Sequence, residues 1–132
     1  MSTIQSIAVT YTDGRVKTLD KDLSPIASFS RAIKGIKEGA KVNGLRPEIL
    51  IAWDIAYNVY IKYGVDCILT EGTGGTHGIG SLHYVGLAID LRTRDFKAGI
   101  AEEVKVELKS LLSSQYDVIL ESDHFHVEYQ PK

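Results

Sequence analysis

The chain has 132 residues, the length of one domain rather than two. Fifteen basic against 17 acidic residues give a formal charge of −2, which excludes a nucleic-acid binder or membrane tether working by bulk positive charge. The single cysteine, Cys67, excludes an internal disulfide, and no apolar run approaches the roughly 20 residues of a membrane span. Met1-Ser2-Thr3-Ile4-Gln5-Ser6 has neither the charged nor the apolar region of a secretory signal, so cytoplasmic synthesis is the expectation.

The predicted elements begin with a β-hairpin within residues 1–20. Two runs rich in β-branched residues flank Asp13-Gly14, a pair that favours a turn because glycine adopts positive φ cheaply. Ser24-Pro25 reads as a cap and first-turn proline, predicting a helix over 24–38. A second helix is expected from Arg46-Pro47-Glu48, burying Leu50, Trp53, Tyr57, Tyr60 and Ile61 and stopping at Gly64. Residues 65–70 read as a buried strand, and residues 71–81, with five glycines, as a loop. A strand over 87–91 precedes an amphipathic helix over 97–112 that buries Ile100, Val104, Leu108 and Leu111. Strands over 116–120 and 124–129 close the chain. The order predicts one α+β domain over 1–132, with helices on one face of a mostly antiparallel sheet.

All four histidines lie in two short clusters. The first runs from Gly75-Thr76-His77 through Ser81-Leu82-His83 to Ala88-Ile89-Asp90, and the second is Glu121-Ser122-Asp123-His124-Phe125-His126-Val127-Glu128. Asp90 interrupts an apolar strand, where a carboxylate is costly unless paired or bound to a metal. Seven residues separate His83 from Asp90, which would place them on opposite faces of a straight strand. Gly86 lies between them and allows the bend that brings His83 back. His124 and His126 share one strand face, with Cα atoms about 7 Å apart. The clusters together supply two or three imidazole nitrogens, a carboxylate, and spare acids at Glu121 and Asp123. Three protein ligands with one open position is the pattern of a catalytic zinc.

Ser81-x-His83-x-x-Gly86-x-Ala88-x-Asp90, followed by an acid and His124-x-His126, resembles the LAS-type zinc peptidases. These include D-alanyl-D-alanine carboxypeptidases and dipeptidases, murein endopeptidases and phage L-alanyl-D-glutamate endolysins. Thr70-Glu71-Gly72 through His77 to Ser81-Leu82-His83-Tyr84 is similar to the hedgehog signalling domain, which shares that fold. The matching region spans residues 65–129.

The resemblance implies a hedgehog/DD-peptidase-like fold and one Zn2+ per chain, held by His83, Asp90 and a histidine of the last strand. Glu121-x-x-His124 and Asp123-x-x-His126 fit the family's acid-x-x-His spacing equally well, and the His-Val-acid ending favours His126 as the ligand. His124 then faces substrate or supports the ligands. Glu121, or else Asp123, is the implied general base, taking a proton from water and returning it to the leaving amine. His77 is the implied stabiliser of the oxyanion. Ser81 is read as orienting His83, not as a nucleophile. Thr73-Gly74-Gly75 stands where hedgehog proteins carry an acidic calcium loop, which counts against a calcium site.

The implied activity is hydrolysis of peptidoglycan stem peptides by metal-activated water, of carboxypeptidase or endopeptidase type. The alternative is a hedgehog-like, zinc-stabilised binding module without activity. A murein hydrolase without an export signal implies phage or prophage origin, with release by lysis machinery or carriage in a virion.

Overall fold

A computed structural model describes residues 6–10, 14, 16–20 and 32–131. It is an α+β fold built on a five-stranded mixed sheet and two helices, with a separate two-stranded hairpin. The hairpin pairs β1, Ser6–Thr10, antiparallel with β2, Val16–Asp20, and Gly14 between them has φ 87°. Asp13 lies outside the described residues.

The helix expected over 24–38 is corrected in its described part. Lys34–Ile36 forms a short strand, β3, running parallel to β4, Cys67–Glu71. Its proposed cap at Ser24-Pro25 lies outside the described residues. The ladder is closed at both ends, since Cys67 N–H donates to Ile33 O at 2.8 Å and Lys37 N–H to Leu69 O at 2.9 Å. Glycine weakens a helix here by about 1 kcal/mol, so pairing with a distant strand edge outweighs local propensity.

Helix α1, Pro47–Lys62, starts on proline at its first position, where the missing N–H costs nothing. Gly64, at φ 69°, follows its end and donates to Ile61 O at 2.9 Å. The buried face is Ile49, Ala52, Trp53, Ala56, Tyr57, Val59 and Tyr60. Leu50, expected inside, is 46% exposed. The two small alanines belong to this buried face, a signal that the larger residues mask. Helix α2, Ile100–Leu111, buries Val104 and Leu108. Leu111, also expected inside, is 55% exposed, and Leu112, one residue beyond the helix, is buried in its place.

The sheet order is β3-β4-β5-β7-β6, with β5 at Ala88–Arg92, β6 at Tyr116–Leu120 and β7 at His124–Tyr129; only β3–β4 is parallel. Helix α1 packs across β4, β5 and β7, α2 packs on β6, and the helices pack on each other, so both cover one face. That face carries Cys67, Leu69, Ile89, Leu91, Val118, Phe125 and Val127, all buried. Each large apolar side chain buried there contributes about 1.5–3 kcal/mol. Alternation along β5 and β7 therefore turns Asp90 and Arg92, and His124, His126 and Glu128, to the opposite face. Among the described residues no helix is long and apolar enough to cross a membrane.

Candidate metal centre

The open face of the sheet assembles the histidine clusters. In the antiparallel β5–β7 ladder Asp90 stands opposite His126 and Arg92 opposite His124. His83 joins them from a single 3-10 turn, Leu82–Val85, whose first N–H groups are partly met by the Ser81 hydroxyl accepting from His83 N–H at 3.2 Å. Gly86 ends that turn at φ 79°, and a Cβ there would lie 2.0 Å from Gly44 O. Only glycine meets both conditions, and the resulting bend carries His83 back over Asp90.

Three potential ligand atoms converge. His126 Nδ1 is 3.0 Å from Asp90 Oδ1, His83 Nε2 is 3.2 Å from the same oxygen, and the two nitrogens are 3.2 Å apart. Atoms bound at about 2.0–2.1 Å in a tetrahedral zinc site stand roughly 3.3 Å from one another, so this triangle has the size of one face of such a site. The far side of each ring sets its tautomer. His83 Nδ1–H donates to Gly72 O at 2.8 Å, and His126 Nε2–H donates to Glu128 Oε1 at 3.0 Å. The inward nitrogens of the neutral rings are then lone pairs facing a carboxylate oxygen, an arrangement that calls for a cation. The residues fit a bound metal ion on both counts.

Electrostatics agree. Burial pushes the Asp90 carboxyl up, but protons carried on the inward nitrogens of His126 and His83, where a cation would otherwise sit, and the nearby His124 ring outweigh it, holding the group well below the usual carboxylate range. The Asp90 carboxylate in turn raises the pKa of His126 against the opposing effect of burial, with Glu128 adding to the rise.

The geometry separates the two histidines of β7. His126 reaches the triangle, whereas His124 Nε2 lies 3.7 Å from the outer oxygen of Asp90 and its Nδ1–H donates to Asp123 Oδ1 at 2.6 Å. That bond is the main cause holding the exposed Asp123 carboxyl below its ordinary range. Asp123 and His124 line an open hollow of about 290 Å3 with Lys37, Thr70, Glu71, Asp90, Arg92 and Arg94. Glu121 is not brought to that hollow; its backbone N–H closes the β6–β7 turn on His124 O at 2.8 Å and its side chain is exposed.

His77 is not the free loop residue that its glycine-rich surroundings suggest. Its ring stacks on His83 at 4.0 Å and 6°. Its Nε2–H is shared between Gly74 O at 2.9 Å and Glu71 Oε2 at 3.1 Å, so the proton an oxyanion would need is already engaged. Glu71, His77 and His83 form a second group with ligand atoms within 4.8 Å of one another.

Two residues of the site stand in the quoted motifs but are given no role by the sequence reading. Glu128 orients His126, and its position two residues on along the same strand face is the signal that identifies it. Glu71 reaches the site through a β-bulge: the β4–β5 register shifts between Leu69, opposite Leu91, and Glu71, opposite Asp90. The bulge turns Glu71 away from the core face that Leu69 occupies, and no local residue pattern announces it.

Comparison with models of known protein families, with curated proteins and with solved structures finds no significant match to this chain.

Proposed function

We propose that this chain is a zinc-dependent peptidase of hedgehog/DD-peptidase-like architecture that hydrolyses peptidoglycan stem peptides. The observation that carries the reading is the triangle of His83 Nε2, Asp90 Oδ1 and His126 Nδ1, with sides of 3.0–3.2 Å, beside an open hollow. Its three members, His83, Asp90 and His126, are drawn from the Ser81-x-His83-x-x-Gly86-x-Ala88-x-Asp90 and His-x-His motifs, which supports the reading. His83, Asp90 and His126 would hold the ion, which when bound supplies Lewis acidity toward water and a peptide carbonyl.

The chain's own residues do the rest. Gly72 O and Glu128 hold the outer protons of His83 and His126, fixing both rings. Asp123 holds the Nδ1 proton of His124 and so keeps Nε2, at the wall of the hollow, free to take a proton from water and return it to the leaving amine. Within this reading the Asp123–His124 pair takes the base role in preference to Glu121. His77 stacks on His83 and is itself held by Glu71.

The test pairs elemental analysis with digestion of purified peptidoglycan sacculi. The wild type is expected to hold about one zinc per chain and release stem-peptide fragments, and His83→Ala to lose both metal and activity. Zinc-loaded protein that leaves sacculi and stem peptides intact would overturn the peptidase reading in favour of a zinc-stabilised binding module.

A further inference from the structure

Three cations are among the side chains that line the hollow beside the metal triangle. Lys37 at the end of β3, Arg92 on the site face of β5 and Arg94 two residues beyond all line it. Among the described residues none of the three forms an ion pair with an acid. The three carboxylates lining the same hollow are turned to histidines rather than to these cations: Asp90 to His83 and His126, Glu71 to His77, and Asp123 to His124. In a chain of net charge −2, three positive charges thus line the hollow without an ion-pair partner among the described residues.

The placement is also directional. Arg92 stands opposite His124 in the ladder and two residues on from Asp90, about 7 Å along the strand. Successive Cα atoms of a peptide are about 3.8 Å apart. A peptide whose scissile carbonyl lies against the metal triangle, and which runs along β5 toward Arg92, would bring a carboxylate on the next residue within reach of the Arg92 side chain, with Arg94 beyond it. The hollow is at the small end of ligand clefts, fitted to a short segment of extended peptide.

We propose that Arg92 and Arg94, with Lys37, form a carboxylate-binding subsite that selects anionic peptides and sets their register at the metal centre. This rests on the peptidase reading of the hollow. Arginine suits the role because its planar fork matches a carboxylate with two parallel hydrogen bonds, which are stronger than neutral ones. The carboxylate has two sources, a peptide C-terminus or an acidic side chain, and the two can be told apart.

The probes are single-residue fragments: N-acetyl-D-alanine, its neutral carboxamide, and the α-amide of N-acetyl-D-glutamic acid. Each is titrated into the full chain as purified, and the arginine Nε–Hε signals are followed by NMR. At least one carboxylate probe is expected to bind about tenfold or more tightly than the neutral carboxamide, shifting the Arg92 and Arg94 signals. Preference for N-acetyl-D-alanine assigns the subsite to a C-terminus, and preference for the glutamate fragment assigns it to a side chain; either supports the subsite. In Arg94→Gln, an exposed position whose replacement leaves the core intact, and in Arg92→Gln, the ratio is expected to fall toward one while zinc content stays at the wild-type value. Arg92→Lys restores part of it. Equal binding of charged and neutral probes in the wild type, or a ratio retained in both glutamine variants, overturns the proposal. Zinc content and sacculus digestion are read separately, so failure of the peptidase reading leaves a distinct signature from failure of the subsite.

Discussion

His126 faces Asp90 directly across the β5–β7 ladder, with Nδ1 3.0 Å from Oδ1, while His124, two residues earlier on the same face, stops 3.7 Å from the other oxygen. One step of strand register thus divides two chemically identical side chains between holding an ion and facing the hollow. His126→Ala is expected to lower zinc affinity at least 100-fold, as are His83→Ala and Asp90→Ala. His124→Ala is expected to retain zinc and lose turnover by about 100-fold or more, the usual contribution of a positioned acid–base group. Competition with a chromophoric chelator, alongside peptide hydrolysis, checks both halves; zinc loss in His124→Ala with retention in His126→Ala would reverse the assignment.

Glu128 acts on the ion only through His126, whose Nε2–H it accepts at 3.0 Å. Glu128→Gln keeps the size and an accepting oxygen but removes the charge. Its zinc affinity is expected to fall about 10–100-fold with little loss of fold stability, the range typical of groups that orient metal-binding histidines. An unchanged affinity would show that the ring is held by the sheet alone.

Gly86 joins a positive φ of 79° to a contact that leaves no room for a methyl group, 2.0 Å from Gly44 O. Gly86→Ala is expected to cost more than about 2 kcal/mol, the sum of left-handed backbone strain and displacement of the 43–46 segment. The same change swings His83 off Asp90, so zinc affinity falls with stability. Urea unfolding with and without zinc measures the two effects, and a variant as stable as the wild type would contradict the packing described.

The core predicts an alkaline limit. Burial pushes the Cys67 thiol up to about 12, and burial likewise pushes the Tyr60 phenol far above its ordinary value, its O–H donating to Arg92 O at 2.7 Å. A folded-state pKa above the unfolded one means that the folded state binds the proton more tightly. Stability from these groups is complete below their unfolded pKa and declines as pH rises. For Cys67 the decline runs from about pH 9 to about 12. The melting temperature is expected to drop through that window, less steeply in Cys67→Ala, and the thiol of the folded protein to resist alkylating reagents at pH 8. Rapid labelling at pH 8 without unfolding would show that Cys67 is not enclosed.

The sequence by itself determined those elements whose periodicity matches their burial. Residues 116–120 and 124–129 are strands as expected, because Phe125 and Val127 alternate with His124, His126 and Glu128 across a sheet with one covered face. The start of α1 follows from Arg46-Pro47, and the approach of His83 to Asp90 from the glycine at 86, since both are local backbone constraints. Tertiary structure alone decided the rest. Residues 34–36 became a strand because the edge of β4 offered partners that no neighbouring residue reveals. Leu50 and Leu111 were turned outward because helix orientation is set by the surface a helix lies on; in α1 the buried face takes in Ala52 and Ala56 instead of Leu50. A resemblance had already favoured His126 over His124, but their different distances from Asp90, and the entry of Glu71, depended on ladder register and a bulge, relations between strands that are distant in sequence. Local pattern fixes which face a residue takes within its own element; only the pairing of elements fixes which atoms meet.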